Sequence, residues 1–156
     1  MSSKYDLDIV EEEKKQYIVV SIGSEQYGID ISYVDNIVRM QKITRVPKSL
    51  PYYRGVINLR GEVVPVMSAR RKMGLDDDVF TKASRIIILK LEAQGMVGMV
   101  VDEVKEVVSL GHDDIDQNVQ NTKGDNGNFI NGIGKNGDDL ISIFDVYSIV
   151  DAVENA

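Results

Sequence analysis

Arg60-Gly61, inside GVINLRGEVVPV (55–66), sets a guanidinium in a tight turn between two β-rich runs. A guanidinium offers five N–H donors in a rigid fork, suited to a carboxylate or to backbone carbonyls. The plain alternative is a solvated turn residue. The single histidine, His112, stands beside Asp113, Asp114 and Asp116. One histidine with unspaced aspartates fits no ligand template, so the group reads as a solvated turn and no metal is expected. GIGKNG (132–137) lies between strand-like runs and opens no helix, so it is not a phosphate-cradling loop. Asp138-Asp139 falls on a turn signal. Cysteine is absent, which removes disulfides and thiolate chemistry and fits a reducing compartment. No catalytic residue and no cofactor is assigned, and the chain is not expected to be an enzyme.

Those residues need a scaffold. A chain of 156 residues, 43% hydrophobic and 28% charged, can bury one core or two small cores that share an interface. No apolar run reaches the roughly 18 residues of a membrane span. The start, MSSKYDLDIVEEEKK, is polar and acidic rather than a signal peptide. A net charge of −7 repels nucleic-acid backbones and anionic lipid. A nucleic-acid-binding small barrel, the reading from another functional class, would want a basic face studded with aromatics. This chain is 6% aromatic and lacks Trp. Arg70, Arg71 and Lys72 are only a short basic cluster.

The elements are mostly strands. Residues 1–15 read as a flexible acidic tail. Gln16–Ile22 and Glu25–Ile29 form a hairpin about Gly23-Ser24. Ile31, Val34, Ile37 and Val38 have helical spacing, so 30–38 is expected to be a short helix and Arg39–Arg45 a strand ending at Val46-Pro47. Val56–Leu59 and Glu62–Val66 are strands, with Pro65 marking an edge or bulge. Ser68–Met73 makes a helical turn closed by Gly74. Strand patterns resume at Arg85–Leu91, Met96–Val101 and Val104–Ser109. Asp113–Gln117 reads as a turn and Asn118–Asn128 as a polar loop. Phe129–Gly134 and Asp139–Phe144 pair last, and Asp145–Glu154 is a C-terminal helix with Asp145 as N-cap.

The halves resemble each other. Tyr27-Gly28-Ile29-Asp30 matches Val97-Gly98-Met99-Val100 at an offset of 70 residues. Gly55-Val56 and Val63-Val64-Pro65-Val66 match Gly132-Ile133 and Leu140-Ile141-Ser142-Ile143 at an offset of 77. This suggests two duplicated small barrels packed side by side.

Four ordered blocks, YGIDISYVDNIV (27–38), RGVINLRGEVVPV (54–66), GMVVDEVKEVVSL (98–110) and FINGIGKNGDDLISIFDV (129–146), resemble the CheW family, coupling proteins of bacterial chemotaxis. The resemblance implies an all-β fold. Two small five-stranded SH3-like β-barrel subdomains would pack side by side, with short helical turns and a C-terminal helix at 145–156. A single domain at 16–151 would hold two intertwined barrels, the first mainly at about 27–75 and the second mainly at about 85–144. The implied function is an adaptor coupling methyl-accepting chemoreceptors to the chemotaxis histidine kinase. It would be cytoplasmic and recruited to membrane receptor arrays. Ending at Ala156 without a kinase or receiver segment, the chain is expected to be the stand-alone adaptor. A scaffold of a non-motility chemosensory pathway is the alternative within the family.

The implied receptor groove between subdomains involves Val34, Asn36, Ile37, Arg60, Gly98, Val104 and Val107. The implied kinase contact, with the kinase's regulatory domain, involves Gly55, Asn58 and Arg60. For the valines and Ile37, core packing is the default reading of apolar spacing. For Gly28, Gly55, Gly61, Gly98 and Gly132, it is turns or close strand approach. Two departures stand out. Asn36 occupies a usual glutamate position, and Ser68-Ala69 replace a frequent Asp-Leu, although Ser68 can still cap the turn.

Overall fold

The computed structural model describes residues 13–117 and 129–150. Among the described residues, eleven strands are interspersed with short helical turns. They are β1 (Lys14–Ile22), β2 (Glu25–Asp30), β3 (Val34–Arg39), β4 (Tyr53–Leu59), β5 (Glu62–Ser68), β6 (Arg85–Leu91), β7 (Gly95–Val101), β8 (Glu103–Gly111), β9 (Ile115–Asp116), β10 (Ile130–Asn136) and β11 (Asp139–Phe144). Two helices of one turn each follow the parallel strands: α1 (Ala69–Lys72) after β5 and α2 (Val146–Ile149) after β11. The fold is all-β, as expected, and its strands form a six-stranded sheet, β8-β1-β2-β11-β10-β9, and a five-stranded sheet, β3-β6-β7-β5-β4.

Without the two-residue β9, the two orders are the same arrangement written in the two halves. β8 stands where β3 does, the β1–β2 hairpin where β6–β7 does, and β11–β10 where β5–β4 does. Each sheet therefore takes a hairpin from one half and three strands from the other. The exchange cuts across the approximate division into barrels mainly at 27–75 and mainly at 85–144. β6 and β7 pair with β3 and β5, while β2 pairs with β1 and β11. Pattern matching along the chain finds the repeat but cannot see the exchange, because strand partners are set by long-range pairing.

The period-2 alternation of the central strands serves two cores at once. Tyr17 and Val19 of β1 join a cluster inside the six-stranded sheet, with Val108, Leu110, Ile141 and Ile143. Ile86, Ile88 and Val100 join the corresponding cluster inside the five-stranded sheet, with Ile57, Val64 and Val66. The intervening residues Ile18, Val20, Ile22, Ile87, Leu89, Leu91, Val97, Met99 and Val101 face a larger cluster that the sheets share. Tyr27 and Phe144 stack within it, centroids 4.7 Å apart.

Close approach fixes two glycines. Gly98 crosses parallel to Val66, and a Cβ there would lie 2.8 Å from Ile86 Cγ2. Gly28 holds the equivalent crossing with Ile143, where a Cβ would lie 2.9 Å from Ile143 Cδ1. Pro65 is tolerated because β5 pairs with β7 only from Val66 onward, so no ladder donor is missed on that side.

Several elements differ from the sequence expectation. Residues 30–38 are not a helix: Ile31–Tyr33 is a 3-10 turn capped by Asp30, and Val34 onward is strand. Arg39–Arg45 is not a strand. β3 ends at Arg39, and only Thr44 makes an isolated bridge, to Val56. Lys14 and Lys15 belong to β1 rather than to a tail, paired with Gly111 and Leu110. Asp113–Gln117 holds a 3-10 turn and β9. The N-caps agree with expectation. Ser68 accepts from the Arg71 N–H and Asp145 from the Ser148 N–H, again 77 residues apart. The expected polar loop at 118–128 and the end of the C-terminal helix beyond Val150 lie outside the described residues.

One carboxylate ties the sheets together. Asp102, between β7 and β8, accepts from Arg70 Nη2 at 2.7 Å and Nε at 3.0 Å. It also accepts from the Gly23 N–H in the β1–β2 turn at 2.8 Å. Burial alone would push this carboxyl up. The Arg70 guanidinium and the Gly23 N–H more than offset it and hold its pKa below the ordinary value. The unfolded chain therefore takes up the proton first. The stabilisation is full above the ordinary Asp value of 3.8 and is lost as pH falls below it. Asp102→Asn is expected to cost about 1–3 kcal/mol at neutral pH. The cost should shrink on acidification toward about pH 3. Denaturant titrations of both proteins at the two pH values check this, and a pH-independent difference would refute it.

Candidate functional site

Two edge strands bring the expected groove residues to the shared cluster by the same device. In an unbroken strand Val34 and Ile37 would face opposite ways. In β3, Val34 stands opposite Leu89 and Asn36 opposite Ile88, leaving Asp35 as an extra residue. This bulge returns Ile37 to the face of Val34, and both pack against the shared cluster. The Asn36 side chain accepts from the Ile37 N–H at 2.8 Å, satisfying backbone at the bulge. β8 repeats the device 70 residues later. Val104 stands opposite Val20 and Glu106 opposite Val19, leaving Lys105 as the extra residue. Val104 packs against the shared cluster. Val107, opposite Ile18 of that cluster, is on the same face and is 51% exposed.

Arg60 is joined to this region through the bulged residue. The β4–β5 turn holds Arg60 at φ 53° and Gly61 at φ 85°. Two positive values make the turn that matches strand twist, and Asn or Gly is the usual first residue. Asn58 accepts from the Gly61 N–H at 3.1 Å and closes it. The Arg60 side chain is 68% exposed, and its Nη2 reaches Asp35 Oδ2 at 3.4 Å. Such an exposed pair is worth about 0–1 kcal/mol. It does not explain why a long cation occupies a left-handed position.

The expected glycines present no side chain to a partner. Gly98 is buried at the parallel crossing described above. Gly55 is also buried, at φ 139°, where a Cβ would collide with the Thr44 carbonyl. Its effect on any contact must pass through the β4 backbone. Sequence reasoning missed Asp35, which it had no means to pair with a residue 25 positions away.

It also missed a polar network beneath 74–80. Asp78, whose side chain is 2% exposed, accepts from Ser68 Oγ at 2.5 Å and Arg54 Nη1 at 3.1 Å. Arg71 reaches Asp77 through Nε at 2.8 Å and Nη2 at 3.0 Å. The Arg71 guanidinium, the Asp78 N–H and Arg54 hold the Asp77 carboxyl well below the usual range. The acid run Asp76-Asp77-Asp78 is thereby clamped to α1 and β4.

Residues 16–154 match the family described as CheW-like domain. The chain belongs to the CheW family. It is 38% identical to the chemotaxis protein CheW of Helicobacter pylori over 139 residues, 89% of this chain and 83% of that one. It is 34% identical to the CheW of Bacillus subtilis over 137 residues, covering 88% and 87%. Among solved structures it resembles the scaffolding protein TtCheW of Thermoanaerobacter tengcongensis, with a TM-score of 0.77 and 33% identity. That likeness covers 85% of this chain and 89% of the other. As a CheW family member the chain is a non-catalytic chemotaxis adaptor. No helix among the described residues is long and apolar enough to cross a membrane.

The turn geometry separates the Arg60 charge from the Arg60 backbone. Arg60→Asn and Arg60→Ala both remove the Asp35 pair, but only asparagine tolerates the left-handed region. Arg60→Asn is expected to be more stable than Arg60→Ala by about 1 kcal/mol. Thermal melts check this, and equal stabilities would mean that the turn relaxes on substitution.

Proposed function

We propose that this adaptor couples methyl-accepting chemoreceptors to the chemotaxis histidine kinase. The receptor's cytoplasmic helical tip lies along the margin where Val34, Ile37, Val104 and Val107 meet the shared cluster. The single observation carrying this reading is the paired bulge. Two edge strands in different sheets each spend an unpaired residue to aim apolar side chains at one interface. An apolar helix face filling that margin would release water at about 25 cal/mol per Å2 buried. The kinase's homologous regulatory domain meets the outer β4 edge, with Asn58 and Arg60 at its turn and Gly55 setting its backbone. Arg60 is the point shared by the two contacts, because Asp35 ties it to the receptor-facing strand. Recruitment to membrane receptor arrays follows from binding receptor tips and requires no lipid contact.

Titration of the full chain against a receptor tip fragment and the kinase regulatory domain tests this directly. Val107→Asp is expected to weaken receptor binding by about 1–2 kcal/mol, because docking would desolvate a carboxylate without a partner. It should leave the melting temperature unchanged, since the side chain is half exposed. Kinase-domain binding should survive. Unchanged receptor affinity in Val107→Asp would remove the groove. Arg60→Asn is expected to keep its fold and lose kinase activation by the receptor. Normal activation would remove Arg60 from the signalling surface.

A further inference from the structure

A separate cleft of about 700 Å3 opens beside β4, formed by the connection from β3 to β4 together with Arg71 and Phe80. Its volume is that of an ordinary binding pocket. None of the groove residues lines it. In a chain of net charge −7, residues 39–48 carry four cations and no acid. Arg45 and Lys48 line the cleft, are exposed, and make no ion pair among the described residues. Arg54 and Arg71, also in its wall, are matched by Asp77 and Asp78. Four cations against two carboxylates leave the cleft positive.

The lip is preformed. Lys48 sits at φ 65°, one of two non-glycine residues with positive φ among the described residues. Ser49 Oγ donates to the Val46 carbonyl at 2.9 Å and holds that turn. Strain of this kind persists where the surroundings over-determine it, and it concentrates at binding sites. Val46 and Phe80 supply exposed apolar surface at the same cleft, 43% and 44% accessible. Arg54 lies over the Phe80 ring at 4.7 Å and fixes it from behind.

We propose that this cleft docks an acidic segment of a protein partner, with carboxylates on Arg45 and Lys48 and an apolar side chain between Val46 and Phe80. A concave site with an apolar floor fits an extended peptide. A flat anionic bilayer could not enter it and would be repelled by the rest of the surface. This contact lies outside the groove and the Arg60 turn; it adjoins β4, whose edge is assigned above to the kinase, and it rests on the cleft's own residues rather than on that assignment.

The test uses the full chain with a fluorescein-labelled peptide, Glu-Asp-Phe-Asp-Glu, and its lysine counterpart, Lys-Lys-Phe-Lys-Lys. Anisotropy should show binding of the acidic peptide alone, weakening as salt rises. Amide shifts should move at Arg45, Lys48 and Phe80. The double variant Arg45→Gln/Lys48→Asn should weaken binding at least about fivefold. It should melt normally, because asparagine accepts the left-handed turn. Arg45→Gln alone gives a second, milder reading that leaves the turn untouched. The proposal is overturned by no binding at about 1 mM peptide, by an affinity that neither variant changes, or by shifts confined to other surfaces. Binding to phosphatidylserine vesicles without binding to the peptide would likewise overturn it.

Discussion

Both sheets depend on the cluster between them. Among the described residues it holds nineteen buried side chains, against six in the private cluster of each sheet. A core of six residues is too small to sustain a sheet of this size alone. Strand exchange makes the dependence covalent as well. The six-stranded sheet cannot form until strands from both halves have been placed, and neither can the five-stranded one. The two units are therefore one cooperative body, and a contact at the seam between them acts on both.

Local defects shape the margins of the seam. Bulges at Asp35 and Lys105 let edge strands present apolar residues three apart on one face. Bulges at the same relative place in β4 and β10 leave Arg54 and Asn131 unpaired, next to Gly55 and Gly132. Edge strands such as β3 and β8 tolerate such irregularity because one side carries no ladder, while β10 bears its bulge at Asn131, ahead of its pairing with β9 at Ile133 and Gly134. An adaptor needs apolar surface that stays uncovered in the free protein. In the proposed receptor contact the bulges of β3 and β8 supply it without interrupting the central pairs that hold the fold.

Polar contacts fix what apolar packing leaves free. Asp102 joins the β1–β2 turn to α1 across the seam. Asp77 and Asp78 clamp the connector after α1 onto Arg71 and Arg54. At Asp102 and Asp78 the carboxylate faces a guanidinium in a partly buried setting, where charge-assisted hydrogen bonds are worth more than at the surface, while the bidentate Asp77–Arg71 pair is exposed. The clamp also shapes one wall of the positive cleft, so the acids that neutralise Arg54 and Arg71 leave Arg45 and Lys48 uncompensated.

The sequence by itself determined the strand content, the repeat, both helix caps and the turn at Arg60-Gly61. Each of these is a local pattern: alternation, a capping residue, or glycine at a bend. The tertiary structure alone decided which strands share a sheet, because pairing links residues far apart in the chain. It also decided that 31–38 is a 3-10 turn and a bulged strand. The i, i+3, i+4 spacing of a helix face is the same spacing that a bulge produces in a strand, and only the partner strand tells them apart. For the same reason Val107 could be marked as apolar from sequence but not as exposed. The left-handed conformation of Lys48 and the cleft at 45–48 had no local signal. They arise where separate segments meet.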